Sequence, residues 1–80
     1  MIRFPQYRRY KSGSSFFKIT SIINFEEVRK IGDKWVIESY EARILPDYHL
    51  LNDLIYSYAD FAEEISEEEY LEVRNKALGG

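Results

Sequence analysis

The sequence predicts a small α+β domain: an antiparallel β-meander over residues 7–45, followed by two helices, 47–65 and 66–78, packed on one face of the sheet. Apolar residues recur at strand period in the first half of the chain and at helix period in the second half. Pro46, which cannot donate a hydrogen bond to a β-ladder, stands between the two halves. Eighty residues are enough for one domain with a thin core, so we assign 1–80 to a single small domain.

The first two strands are predicted to form a hairpin. Residues 7–11 and 16–21 are rich in aromatic and β-branched side chains, which favour strands. Between them stands the turn cluster Ser12-Gly13-Ser14-Ser15, whose glycine tolerates a positive φ.

Residues 24–31 fit two different structures. Asn24 and Glu27 match a capping box at the start of a helix, and the apolar residues that follow fall at helical spacing. The dipeptide Gly32-Asp33, placed before a strong strand pattern, is instead typical of a hairpin turn. Because eight residues make only a marginal helix, we predict a strand here.

The next predicted strand covers residues 34–45 and is about twice the usual length. Its bulky side chains change sides along the strand: Trp35 and Ile37 share one side, and Tyr40, Ala42 and Ile44 share the other. This change predicts either a β-bulge near Glu38-Ser39 or a strand that is covered on different faces at its two ends.

The second half of the chain predicts two amphipathic helices. Asp47 can cap the first, whose apolar residues recur every three or four positions from Leu50 to Ile65. Ser66 and Glu69 form the capping box of the second helix.

The charge of the chain is divided between its ends. Residues 1–24 contain five cations and no acid, whereas residues 47–72 contain nine acids and no Lys or Arg. Such a division predicts either a charged partner for one end or contacts between the two ends.

A candidate interaction surface lies on the N-terminal hairpin and consists of Tyr7, Arg8, Arg9, Tyr10, Lys11, Phe16 and Lys18. Aromatic rings that stack on bases, together with cations that neutralise phosphates, are what single-stranded nucleic acid requires. The chain is acidic overall and carries no RNA-binding signature, so nucleic acid is the alternative partner rather than the leading one. The structural alternative is that these aromatics enter the core while the cations lie in water or pair with the acidic helices.

A candidate acidic patch consists of Glu63, Glu64, Glu67 and Glu68. Glu67 and Glu68 would lie in the first turn of a helix, where the helix dipole favours carboxylates. Glu63 and Glu64 would lie at the end of the preceding helix, where the dipole disfavours them. Either that helix stops earlier, near Tyr58, or these two acids have cationic partners such as Arg8 and Arg9.

The sequence predicts no catalytic, cofactor or metal site, and therefore no enzyme. There is no cysteine, and no second histidine joins His49 to complete a set of zinc ligands. Nucleophile-elbow and phosphate-binding glycine motifs are also missing from the sequence.

The expected function is a non-catalytic protein-interaction module. Aromatic residues make up 16% of the chain, more than one thin core is expected to absorb, and a single helical layer leaves one sheet face open. An exposed aromatic face is typical of association, so the expected partner is another protein or a second copy of the chain. No small-molecule ligand is indicated. The sequence shows no secretory signal and no membrane span, which predicts a cytoplasmic location away from membranes.

Overall fold

The computed structural model describes residues 2–79, which form five strands and two helices. In chain order these are β1 (Gln6–Tyr10), β2 (Ser15–Ile19), β3 (Asn24–Ile31), β4 (Lys34–Glu41), α1 (Leu45–Tyr56), β5 (Ala62–Glu64) and α2 (Glu67–Leu78). All neighbouring strands are antiparallel, and their spatial order is β4-β3-β2-β1-β5. The predicted α+β class, with a meander followed by C-terminal helices, is confirmed.

Both predicted tight turns of the meander contain a glycine in the left-handed region. Gly13 has a φ of 77° and Gly32 a φ of 63°, values that cost other residues free energy. The second turn joins β3 to β4, with Ile31 opposite Lys34. Segment 24–31 is therefore a strand, as predicted, because the turn chemistry after it outweighs the weak helical spacing within it.

The two helices lie on opposite faces of the sheet, not on one face as predicted. One core cluster joins α1 to one face of the sheet and contains Phe17, Ile19, Phe25, Ala42, Leu51, Leu54 and Ile55. A second cluster joins α2 to the other face and contains Val28, Tyr70 and Val73, with Tyr7, Phe16, Trp35 and Ile37 packed against it. Adjacent residues such as Phe16 and Phe17 point to opposite faces, so each face has its own core.

The cover on the two faces of the sheet explains why the bulky side chains of β4 change sides along the strand. Its register against β3 runs without interruption from Asn24↔Glu41 to Ile31↔Lys34, so there is no bulge in the strand. Trp35 packs in the cluster under α2, whereas Tyr40 packs in the cluster under α1. The second of the two predicted alternatives, a strand covered on different faces at its ends, is correct.

Helix α1 is shorter than predicted. It ends at Tyr56 instead of residue 65, and residues 62–64 form β5 beside β1. Its N-cap is Ile44 rather than Asp47, whose carboxylate accepts a hydrogen bond from the Arg43 N–H at 3.3 Å. Pro46 occupies the first turn, where its lack of an N–H does no harm.

Helix α2 begins as its capping box predicts. Ser66 is the N-cap, and its hydroxyl accepts a hydrogen bond from the Glu69 N–H at 3.1 Å. Within the described residues, neither α1 nor α2 is long and apolar enough to cross a membrane.

Candidate interaction surface

Arg8 belongs to the predicted hairpin surface, but the structure buries it. Only 5% of the residue is exposed. Its Nε donates to the Leu54 carbonyl at 2.9 Å, its Nη1 to the Tyr7 carbonyl at 2.9 Å, and its Nη2 to Gln6 Oε1 at 2.8 Å. The guanidinium also lies 4.1 Å from the centre of the Tyr58 ring. All three nitrogens of the Arg8 guanidinium therefore donate to groups within the protein.

The contact between Arg8 and Leu54 caps the C-terminus of α1. The last carbonyls of a helix lack partners within the helix, and α1 has no basic residue in its last turn. Arg8 of β1 supplies both the missing donor and the positive charge that the negative end of the helix dipole favours. One side chain thus ties β1 to the end of α1.

Arg9 and Tyr7, two further residues of the predicted hairpin surface, also make internal contacts. Arg9 forms an ion pair with Glu63, which lies directly opposite on β5. The Tyr7 hydroxyl donates to Glu67 at 3.0 Å, and its ring packs against Tyr70 at 5.4 Å. Burial and this bond to Glu67 raise the pKa of Tyr7 above its usual value.

The aromatic rings of the hairpin pack edge to face against neighbouring rings in the two cores. Tyr10 meets Phe17 edge to face at 4.9 Å, and Phe16 meets Trp35 at 5.7 Å. Lys11 is exposed at the end of the hairpin, and Lys18 is partly buried on the face under α2. The structure therefore does not collect the seven predicted residues on one surface.

The four acids of the predicted patch occupy two different elements. Glu63 and Glu64 lie on β5, and Glu67 and Glu68 lie in the first turn of α2. Both explanations offered for Glu63 and Glu64 hold, because α1 stops early and both acids lie opposite cations of β1. Glu64, however, is 69% exposed and 4.0 Å from Arg8, so this ion pair is weak.

Glu64 has a firmer partner in the turn before β5. The Tyr58 hydroxyl donates to Glu64 Oε1 at 3.0 Å, and this bond raises the pKa of Tyr58. The same ring carries the Arg8 guanidinium on its face. The contact therefore orders the link between α1 and β5.

A polar network beneath α2 was not predicted. Tyr70 is fully buried, and its hydroxyl donates to Glu26 Oε1 at 2.6 Å. Arg74 Nε donates to the same oxygen at 2.8 Å. Burial alone would raise the pKa of Glu26, but the bonds from Arg74 and Tyr70 outweigh it and lower that pKa below 4.5. Burial and the bond to Glu26 raise the pKa of Tyr70 far above its usual value. The network fastens α2 to β3.

The most apolar exposed surface lies around α1 and the turn between β2 and β3. Among residues 2–79, nine large hydrophobic residues are exposed, and six of them are found there: Ile22, Ile23, Ile44, Leu45, Tyr48 and Tyr56. Their exposed fractions range from 39% for Ile23 to 65% for Leu45. An open groove of about 400 Å³ lies among them, lined by Ile22, Tyr48, His49, Asn52, Ile55 and Tyr56. We call this region the α1 groove.

The segment that carries most of the α1 groove is acidic in sequence. The segment 44–64 contains five acids and no Lys or Arg. Asp53 follows His49 by four residues on α1, so the two are neighbours on the helix surface. Two consecutive isoleucines, Ile22 and Ile23, between two predicted strands were the available sequence signal for this surface, because short connections are usually polar.

The sheet face that was expected to be open is covered by α2. Tyr7, Phe16 and Trp35 lie on that face and pack against Val73 and its neighbours. The premise that one sheet face exposes its aromatics is therefore wrong, because each helix covers a face of its own. His49 is exposed on α1, and no group of three or more His, Cys, Asp or Glu able to hold a metal ion occurs within residues 2–79.

Comparisons with protein-family models, curated proteins and solved structures find no match to this chain.

Proposed function

We propose that the protein is a non-catalytic protein-interaction module and that it binds its partner through the α1 groove. The observation that carries this proposal is the concentration of exposed apolar side chains around one helix. Single exposed apolar residues are normal on a protein surface, but a contiguous group of them is typical of an association site. Ile22, Tyr48 and Tyr56 line one concave surface, so their exposure is contiguous rather than scattered.

The charge around the groove specifies the chemistry of the partner. Four of the six residues that line the groove are apolar or aromatic, and the segment 44–64, which carries most of the groove, contains acids but no Lys or Arg. A volume of about 400 Å³ is in the range of sites that enclose a few side chains. We therefore infer that the partner presents large apolar side chains next to Lys or Arg, as a basic amphipathic helix does.

A synthetic amphipathic helix of Leu and Lys is a suitable probe. Titration of the labelled protein, followed by amide chemical shifts, should move the signals of residues 22–23 and 48–56 and leave α2 unchanged. Affinity should fall with added salt, because acidic side chains attract the probe. Shifts that map to α2 or to β4, or no shifts at all, would contradict the proposal.

Two variants distinguish binding in the groove from nonspecific binding to exposed apolar side chains. Ile22→Ser and Tyr56→Ser remove side chains that are 62% and 58% exposed, so both should leave the fold intact and weaken probe binding. The matched control is Leu71→Ser on α2, which removes an apolar side chain that is 43% exposed and lies outside the groove. Equal loss of binding in all three variants would mean that the groove is not the site.

Nucleic-acid binding stays a prediction, and the buried position of Arg8 changes how it is tested. Replacing Arg8 would strongly destabilise the protein, so lost binding would not identify a phosphate contact. Lys11→Glu is the informative variant, because Lys11 is exposed. Fluorescence anisotropy with single-stranded RNA and DNA at low salt should give flat titrations. Binding that falls with Lys11→Glu would instead favour the nucleic-acid function.

A further inference from the structure

The two edges of the sheet differ in length and in protection. At one edge, β5 has only three residues, and the Ala62 N–H is satisfied by the Tyr58 carbonyl at 2.8 Å. At the other edge, β4 has eight residues, contains no proline, and pairs with β3 in an unbroken register. Proteins usually shorten, bend or cover an edge strand, because its free backbone groups can pair with another chain. The β4 edge is neither shortened nor bent.

The alternation of hydrogen-bonded residues along β4 shows which of its backbone N–H and C=O groups face away from β3. The Ala42 N–H donates to the Ile23 carbonyl at 2.7 Å, which fixes the even-numbered residues of β4 as those that bond to β3. The N–H and C=O groups of Trp35, Ile37 and Ser39 therefore point away from the sheet, toward the open edge. They form a regular row of donors and acceptors.

We propose that β4 pairs antiparallel with β4 of a second copy, so that two five-stranded sheets join into one continuous sheet. A two-fold symmetric pairing must place outward-facing residues opposite outward-facing residues. For β4 this condition allows pairings centred on a residue, but not pairings centred between two residues. Four such pairings match at least five residues of β4, and they are centred on Val36, Ile37, Glu38 and Ser39.

Charge distinguishes these four registers. Centred on Ser39, the pairing of residues 37–41 places no cation opposite an acid. Centred on Val36, the pairing places Lys34 opposite Glu38 of the second copy, twice by symmetry. Centred on Ile37, it places Asp33 opposite Glu41 of the second copy, which repel each other. Centred on Glu38, it places two like carboxylates directly opposite. The Val36 register is therefore the self-complementary one.

The side chains of β4 suit the Val36 register. Trp35 would lie beside Ile37 of the second copy, and both are only partly buried beneath α2 in the single chain. Glu38 already pairs with Arg29 and accepts the Tyr40 hydroxyl at 2.9 Å, so Lys34 of the second copy would join an existing polar group. This edge shares no residue with the α1 groove, so the inference does not rest on the proposed function.

Sedimentation equilibrium on the whole chain tests the pairing. A strand-edge interface is small, so we expect a weak dimer, with a mass that rises from 9.6 kDa toward twice that value between about 10 µM and about 1 mM protein. Amide exchange at Trp35, Ile37 and Ser39 should slow over the same range of concentration. A mass of 9.6 kDa throughout, with exchange at β4 independent of concentration, would overturn the proposal.

Charge reversal tests the register. Lys34→Glu and Glu38→Lys should each weaken the dimer about tenfold, and the double variant should restore it, because the two charges are exchanged. Lys11→Glu, far from the edge, is the control and should leave the dimer unchanged. A dimer that survives both single reversals, or one whose protected amides lie on α1, would overturn the Val36 register. The exchange measurement uses the unmodified chain, so it stands even if a variant folds poorly.

Discussion

Replacing Arg8 with methionine should remove most of the protein's free energy of unfolding at neutral pH. Methionine keeps the apolar stem but removes every donor that Arg8 directs at buried acceptors. The Leu54 carbonyl at the end of α1 then loses its partner, as do the Tyr7 carbonyl and Gln6. Because Arg8 is 5% exposed, water cannot freely replace these bonds.

The expected cost follows from these contacts. Loss of charged hydrogen bonds to a buried acceptor costs about 1.5–3 kcal/mol. The cation–π contact with Tyr58 adds about 1 kcal/mol, and the favourable position at the negative end of α1 adds about 0.5 kcal/mol. The total of about 3–4.5 kcal/mol is comparable to the roughly 3–5 kcal/mol that a core of this size supplies.

Urea denaturation followed by circular dichroism measures this loss. The control is Arg9→Met, which removes the neighbouring cation. Arg9 pairs with Glu63, and the side chains of the two residues are 35% and 42% exposed, respectively. That variant should lose at most about 1 kcal/mol. If Arg8→Met were as stable as Arg9→Met, the reasoning about the capped end of α1 would be refuted.

Three further substitutions test other parts of the structure. Glu26 has a lowered pKa in the folded protein, so the stability it confers is present above pH 4.5 and is lost as the pH falls below that value. Glu26→Gln should therefore reduce stability at neutral pH, and the stability of this variant should fall less as the pH is lowered. Urea midpoints that fall with pH as steeply as in the unmodified chain would contradict this. Ser66→Ala should cost about 1 kcal/mol by removing the N-cap of α2, and an unchanged thermal midpoint would count against the cap. Gly32→Ala should cost about 1 kcal/mol because φ is 63°, although the space for the methyl group is open; a stabilised variant would show that the turn has changed its conformation.

Local patterns predicted most of the secondary structure. Strand β3 followed from the turn dipeptide Gly32-Asp33, and α2 followed from the capping box at Ser66. These signals are short-range, so a single sequence contains them completely. The change of sides along β4 also indicated that both faces of the sheet are covered, because the two ends of this strand bury their side chains on opposite faces.

Contacts between distant segments were not predictable in the same way. Residues 61–65 continue the apolar spacing of α1, yet the segment 62–64 is a strand because β1 offers a free edge there. Arg8 has the sequence appearance of a surface residue, since arginine is seldom buried without partners. Its burial depends on the Leu54 carbonyl, whose position follows only from where α1 ends. The α1 groove likewise arises where the turn containing Ile22 meets a helix more than twenty residues later in the chain.

The pairing of β5 with β1 affects how the chain behaves while it is being made. The four strands of the meander can pair in order of synthesis, each with the strand just completed. The outer side of β1 has no neighbour until residues 62–64 emerge, so a nascent chain carries two unprotected sheet edges through most of its elongation. Substitutions that weaken β5 should therefore appear first as insoluble protein during expression, before any loss in the properties of the molecules that do fold.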